Sequence, residues 1–175
     1  MYHTMGLFDF FRSSEDLEST TNVVIDNKFS VDVPTFLKED TNEEGLVTYN
    51  NRSLDVSLTI IRNSKEDLIE LTSLMKDDID DTLLDKVAAY YLHKIHPDLS
   101  KIEIDDNIQT TIDDKDAVII NVFNKGGVFS EDMYTTMCLI EGEDDIFIIC
   151  SFVNAKSIEK VDNILNQAIL SFKEL

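Results

Sequence analysis

The sequence predicts a single α+β domain built around an antiparallel β-sheet that is covered on both faces. Short apolar segments separated by turn residues are typical of strands joined in hairpins. Apolar residues at helical spacing occur in two regions, one in the middle and one at the end of the chain. A length of 175 residues suits one domain with its own core.

An N-terminal tail is predicted over residues 1–21, ahead of the domain at 22–175. Its large apolar side chains precede a polar stretch that begins at Ser13. The tail is either a loosely docked terminus or a short aromatic helix that packs on the domain or on a partner. The side chains concerned are Leu7, Phe8, Phe10 and Phe11.

Four strands are predicted between residues 22 and 61. The first two form a hairpin around Asn27–Lys28 that ends at Pro34. The next two cover 45–50 and 53–61, with Asn50–Asn51 between them, because asparagine tolerates the positive φ angles of tight turns.

Two capping boxes predict the helical region that follows. In this motif the side chain of a Ser or Thr at the N-cap accepts a hydrogen bond from the backbone N–H three residues later. The acidic side chain at that later position accepts one from the backbone N–H of the N-cap residue. The sequence offers Ser64 with Asp67, and Thr82 with Asp85. The region is therefore two helices, or one helix with a break, and it ends at His96–Pro97 because the residue before proline disfavours helix.

The rest of the chain predicts further strands and one more helix. Short strands are expected at 101–105, 108–112 and 117–123, followed by a hairpin of 133–141 and 145–153. Both strands of that hairpin are apolar on both faces, which indicates cover on each side of the sheet. An amphipathic helix from about Lys156 packs on the sheet through the residues Ile158, Val161, Leu165, Ala168, Phe172 and Leu175.

The glycines at Asn124–Gly127 are predicted to form a hairpin turn. A phosphate-binding loop needs a helix N-terminus directly after its glycines. The following Val128 and Phe129 suggest an extended chain instead.

The net charge restricts the classes of partner. Acidic residues outnumber basic ones by 35 to 15, a formal charge of −20. Such a surface repels nucleic acid and anionic membranes, so neither is expected as a partner. The expected partner is another protein; the charge is compatible with a basic partner or with solubility alone. No apolar run approaches the ~20 residues that span a bilayer, and the N-terminal residues do not resemble a signal peptide. The expected location is cytoplasmic.

Two acidic groups are the most conspicuous candidate sites. On a helix the first group fans outward over roughly 100° of arc, and it lacks the glycine and ligand spacing of a calcium loop. We interpret it as a solvated face or a helix boundary. The second is interpreted as turns and edge-strand charges, which discourage unwanted pairing, or alternatively as a docking face for a basic partner. The first group is Asp77, Asp78, Asp80, Asp81 and Asp85; the second is Glu103, Asp105, Asp106, Asp113, Asp114 and Asp116.

No residue pattern predicts catalysis, a metal or a cofactor. His93 and His96 could share a helical face, as a metal pair would require, but only Asp98 lies near them as a third ligand. Neither a serine-hydrolase elbow nor an exposed cysteine beside a histidine is evident. The expected catalytic, cofactor and metal residues are therefore none, and the protein is expected not to be an enzyme.

Cys138 and Cys150 are interpreted as small core residues that stay as thiols. Their strands form one predicted hairpin around Gly142–Asp144. A register that paired residue 138 with residue 150 would bring the two sulfurs close together on one face.

Short motifs near both ends of the domain resemble the PsbP-like superfamily. The opening "NKFSVDVPTFL" contains Phe29, Ser30, Val33 and Pro34, and the closing "ILNQAILSFKEL" contains Ser171 and Phe172. The superfamily includes the yeast Ran-GTPase release factor and bacterial DcrB-like proteins. The resemblance implies an antiparallel sheet sandwiched between helices (α/β/α), no shared catalytic site, and binding to other proteins.

Three functional hypotheses follow. The first is a non-enzymatic intracellular protein-binding module. The second is an acidic immunity or inhibitor protein, or an effector chaperone, that binds a basic partner. The third is a hydrolytic or small-molecule enzyme with an unrecognised pocket between helices and sheet.

Overall fold

A computed structural model describes residues 17–73, 82–127 and 130–175. Within these ranges the helices are α1 (Lys65–Thr72), α2 (Leu83–Ile95) and α3 (Ile158–Leu170). The strands are β1 (Thr20–Ile25), β2 (Phe29–Pro34), β3 (Lys38–Glu43), β4 (Leu46–Asn51), β5 (Val56–Ser64), β6 (Ile102–Ile112), β7 (Lys115–Asn124), β8 (Met133–Glu141), β9 (Asp145–Asn154) and β10 (Lys173–Glu174).

The main sheet has seven strands in the order β3-β4-β5-β9-β8-β7-β6, and a small sheet has the order β1-β2-β10. Neighbouring strands are antiparallel throughout. On one face of the main sheet, called here the α3 face, α3 and the small sheet form one core. On the other, called here the α2 face, α1 and α2 form a second core. The predicted α+β fold with cover on both faces is confirmed.

The two-sided apolarity of β8 and β9 places these strands at the centre of the main sheet. Alternate residues of β9 enter opposite cores, so Phe147 and Ile149 face α3 while Ile146 and Ile148 face α2. All four are fully buried. At about 25 cal/mol per Å² of apolar surface removed from water, this central hairpin contributes strongly to the stability of both layers.

The motif residues near the two ends of the domain meet in the core on the α3 face. The ring of Phe147 lies 4.8 Å from that of Phe29 and 4.9 Å from that of Phe172. The Ser171 hydroxyl accepts a hydrogen bond from the Asp32 N–H at 2.7 Å. These motif residues therefore fasten the end of the chain to β2, which is a structural role.

Capping chemistry sets the two helix starts as the sequence predicts. The Ser64 hydroxyl accepts the Asp67 N–H, and Thr82 and Asp85 form a reciprocal capping box. The region is two helices, and α2 ends at Ile95, with His96 as its C-cap residue before Pro97. Residues 74–81, which include four of the five aspartates in the first acidic group, lie outside the described residues.

Three strand predictions need correction. Strand β3, with the sequence KEDTNE, is polar and exposed, so no apolar alternation revealed it. The turn predicted at Asn50–Asn51 lies at residues 52–55, because the Asn51 side chain accepts N–H bonds from Ser53 and Leu54. The predicted strands 101–105 and 108–112 are one strand, since a β-bulge between Ile104 and Asp106 lets the pairing continue.

Two connections between strands differ in part from the predictions. The hairpin predicted at Asn124–Gly127 is confirmed, because β7 and β8 pair antiparallel up to Asn124 and Met133, but its connection is longer than predicted and covers 125–132. The β8–β9 hairpin is confirmed, but its register pairs Met137 with Cys150 and Cys138 with Ile149. Because the period of a strand is two, this one-residue difference sends the two thiols to opposite cores.

Candidate binding surface

Strand β6 is the outer strand of the main sheet and is exposed along almost its whole length. It pairs with β7 on one side, and no strand of the described chain lies on the other. Residues 103–111 are all exposed, and only Ile112 at the end is buried. An outer strand presents a row of backbone N–H and C=O groups that another chain can pair with.

The β6–β7 turn determines which backbone groups point outward. Asp113 and Asp114 have φ angles of 52° and 60°, the conformation of a type I′ hairpin turn. Ile112 and Lys115 flank this turn as a pair, and the turn hydrogen bond joins them.

Hydrogen-bonded and non-hydrogen-bonded pairs alternate along an antiparallel ladder. Counting back from Ile112, we find that Thr110 and Ile108 bond to β7. The N–H and C=O groups of Asn107, Gln109 and Thr111 therefore point away from the sheet. Nothing in the sequence alone marks these three neutral residues, because the direction of a backbone group follows from register.

The second acidic group lies on this strand, on its turn and, for Asp116, at the start of β7. We call residues 102–116 the acidic edge. It holds six acidic residues against Lys115 alone, a local formal charge of −5. Lys115 is itself paired, with its Nζ 2.7 Å from a carboxylate oxygen of Glu174. The hydrogen bond that Lys115 donates to this carboxylate raises the pKa of Lys115. The acidic edge therefore presents a strongly negative surface, and the predicted placement of these acids on an edge strand and turns is confirmed.

The other outer strands differ from β6. A bulge at Asp40 interrupts the six-residue β3, and β1 is six residues long without a charged side chain. Beyond its bulge, β6 pairs without interruption over the seven residues 106–112. Among the described strands, β6 thus combines the longest uninterrupted edge with a cluster of like charges.

The two histidines do not form a metal pair. His93 is exposed on α2, whereas His96 lies just past the helix, is 7% exposed and has no hydrogen-bond partner for Nε2. Burial lowers the pKa of His96, which favours the neutral ring. Across the described residues, no group of three potential ligands is placed to hold a metal ion.

A polar groove of about 270 Å³ lies between α3 and the outer strands of the main sheet. Asp106 and Asp162 contribute carboxylates, and the Thr136 hydroxyl donates to the Asn121 side-chain oxygen at 2.8 Å. That hydroxyl faces an amide rather than a general base, which is not the arrangement of an activated nucleophile. The groove adjoins the acidic edge and adds to its negative surface.

Among the described residues, the most buried ion pairs form a structural cluster. Arg62 on β5 contacts Asp26 at 3.1 Å and Asp145 at 3.5 Å. Burial disfavours the charged form of Arg62. The hydrogen bonds to Asp26 and Asp145 and the negative charges of these two residues outweigh that effect, so the pKa of Arg62 is raised. The cluster joins the β1–β2 turn to the start of β9.

Comparison with known proteins supports the fold. No protein family and no curated protein matches the sequence. The solution structure of cyanobacterial PsbP from Synechocystis matches all of this chain and 98% of that chain, with a TM-score of 0.61 and 10% identity.

Two other solved structures have the same fold. LpqN of Mycobacterium tuberculosis, involved in cell envelope biogenesis, matches 99% of each chain, with a TM-score of 0.51 and 9% identity. A Pseudomonas aeruginosa protein of unknown function matches 87% of this chain and 95% of that chain, with a TM-score of 0.53 and 12% identity. The chain therefore has the PsbP-like fold that its terminal motifs suggest. No helix of the described residues is long and apolar enough to cross a membrane.

Proposed function

We propose that this domain is a non-catalytic, cytoplasmic binding module whose acidic edge contacts a basic protein. The observation that carries the proposal is the exposed outer strand β6, with exposed carboxylates beside backbone groups that point outward. Complementary charge speeds the encounter of two proteins and selects between partners. The same charge repels nucleic acid and anionic lipid.

Two further observations support the proposal. Each buried cysteine lies in a separate core, as expected of thiols that remain reduced inside a cell. The polar groove beside the acidic edge contains carboxylates without a paired nucleophile and base. A binding role therefore accounts for the acidic surface without assigning chemistry to it.

The test is affinity capture from an extract of the host with a matched pair of charge variants. One variant is Glu103→Gln/Asp105→Asn/Asp106→Asn, which neutralises one end of the acidic edge. The control, Glu39→Gln/Asp40→Asn/Glu43→Gln, neutralises the same number of acids on β3 at the opposite edge of the same sheet.

The wild-type domain and the β3 variant should capture the same basic protein, and the β6 variant should lose it. The complex should dissociate as salt rises, because the Debye length falls from about 10 Å at 0.1 M to about 3 Å at 1 M. Equal recovery with both variants, or no reproducible basic partner, would contradict the proposal.

A further inference from the structure

We infer that the partner contributes an extended basic segment that pairs with β6 as an additional strand of the main sheet. This inference rests on the proposed function and specifies how the acidic edge binds. The N–H and C=O groups of Asn107, Gln109 and Thr111 point away from β7 and are open to pairing. All three residues are exposed. The Gln109 side-chain amide donates a hydrogen bond to the Asp85 carboxylate of α2 at 3.4 Å, which holds that side chain on the α2 face and leaves the backbone groups at the outer edge.

The charges of the acidic edge define the sequence that would fit. Acids cluster at its two ends, up to Asp106 at one and from Asp113 at the other, and residues 107–112 between them are neutral. Asp106 and Asp113 are seven residues apart, which corresponds to about 23 Å along a strand. The matching segment is therefore basic at both ends and neutral over about five or six residues between them.

Side-chain positions refine the match. Glu103 and Asp106 pair with Phe123 and Asn121, whose side chains lie on the α3 face, and Ile108 lies on the same face of β6. Ile108 is 46% exposed. An apolar residue of the incoming strand opposite Ile108 would bury that side chain, because cross-strand neighbours lie about 5 Å apart. The central part of the segment should thus be rich in β-branched residues.

The same charges disfavour other occupants. A second copy of this chain would place the acidic ends of two β6 strands beside one another, and like charges directly opposite destabilise a strand pair. Residues 1–16 carry three acidic residues against Arg12, so this segment is also repelled. An extended segment rich in Lys or Arg is the occupant that charge complementarity selects.

The probe is a capped, fluorescent peptide with the sequence KKTVTVTKK. The comparison peptide, TVKKKKTVT, has the same length and composition but carries its four lysines in the centre. It tests whether the spacing of the charges matters. On the protein side, Asn107→Pro/Thr111→Pro removes two outward N–H groups without changing any charge. Asn107→Ala/Thr111→Ala is the matched control, because it removes the same side chains and keeps both N–H groups.

Binding is measured by fluorescence anisotropy at low salt. The alanine variant should bind the probe like wild type, and the proline variant should bind at least about tenfold more weakly, because two hydrogen bonds are lost. The probe should bind more tightly than the peptide with central lysines. A circular dichroism spectrum and an unfolding curve establish that the proline variant is folded.

The outcomes separate this inference from the proposed function. If the proline variant binds like wild type while the β6 charge variant does not, the acidic edge binds basic proteins without strand pairing, and the inference is wrong. If neither variant changes binding, the inference and the proposed function both fail. A dimer that forms through β6 in the absence of peptide would show that a second copy is the occupant, which also overturns the inference.

Discussion

Proline should have very different effects at Thr110 and Thr111, which are adjacent, chemically identical and exposed residues of β6. Thr110 pairs with the buried Ala117 of β7, and its N–H bonds to that strand. The N–H of Thr111 points away from the sheet. Proline has no N–H, so one substitution breaks the ladder and the other leaves it intact.

The expected magnitudes follow from these bonds. Thr110→Pro removes a net hydrogen-bond contribution of about 0.5–1.5 kcal/mol and leaves the Ala117 carbonyl unpaired, at a further cost of about 1–3 kcal/mol. The unfolding free energy should therefore fall by roughly 2–4 kcal/mol. Thr111→Pro loses no hydrogen bond. Proline also lowers the conformational entropy of the unfolded chain, which offsets any strain in the folded strand, so the free energy of unfolding should change by no more than about 1 kcal/mol.

Urea unfolding followed by circular dichroism measures both variants. The midpoint should fall markedly for Thr110→Pro and little for Thr111→Pro, with the m-value unchanged in each. Equal losses, or a larger loss for Thr111→Pro, would refute the register from which the outward groups of β6 are derived.

Three further predictions concern buried side chains. Burial raises the pKa of Cys138 and Cys150 to about 12, so neither thiol should react with iodoacetamide at pH 8 until urea unfolds the protein; rapid labelling of the native protein would contradict their burial. Burial lowers the pKa of His96 below its ordinary value of 6.5, so its contribution to stability is complete above that pH and is lost as the pH falls through the lower folded pKa. Unfolding curves at several pH values should show that His96→Gln removes this part of the acid sensitivity, whereas substitution of the exposed His93 by Gln keeps it. Phe172→Ala should cost about 3–5 kcal/mol in urea unfolding, since this ring is buried against two other phenylalanine rings; a loss below about 1 kcal/mol would show that the core tolerates its removal.

Features with a local physical cause could be predicted from the sequence. The helix starts depend on Ser64 and Thr82, whose side chains bond to nearby backbone, and the end of α2 depends on Pro97. The β8–β9 hairpin was predicted because both of its strands are apolar on both faces, a pattern that only a central, covered strand requires.

Features that depend on distant partners could not be predicted in the same way. Strand β3 is entirely polar and forms because β4 offers its free edge. The register that separates Cys138 from Cys150 differs by one residue from the alternative in which they pair. Neither choice is encoded by a pattern within a single segment.

The candidate binding surface combines both kinds of feature. The two acidic ends of the acidic edge are visible in the sequence, and their placement on a strand and its turn was predicted. That β6 is the outermost strand, and that Asn107, Gln109 and Thr111 direct their backbone groups outward, follows only from the strand order and register.

Amide hydrogen exchange of β6, resolved by NMR with and without the peptide KKTVTVTKK, tests the central claim most directly. In the free protein the N–H groups of Ile108 and Thr110 should be protected, while those of Asn107, Gln109 and Thr111 exchange rapidly. Saturation with peptide should slow exchange at the latter three positions, because each N–H then bonds to the added strand. Peptide binding that leaves exchange at all three unchanged would contradict the account.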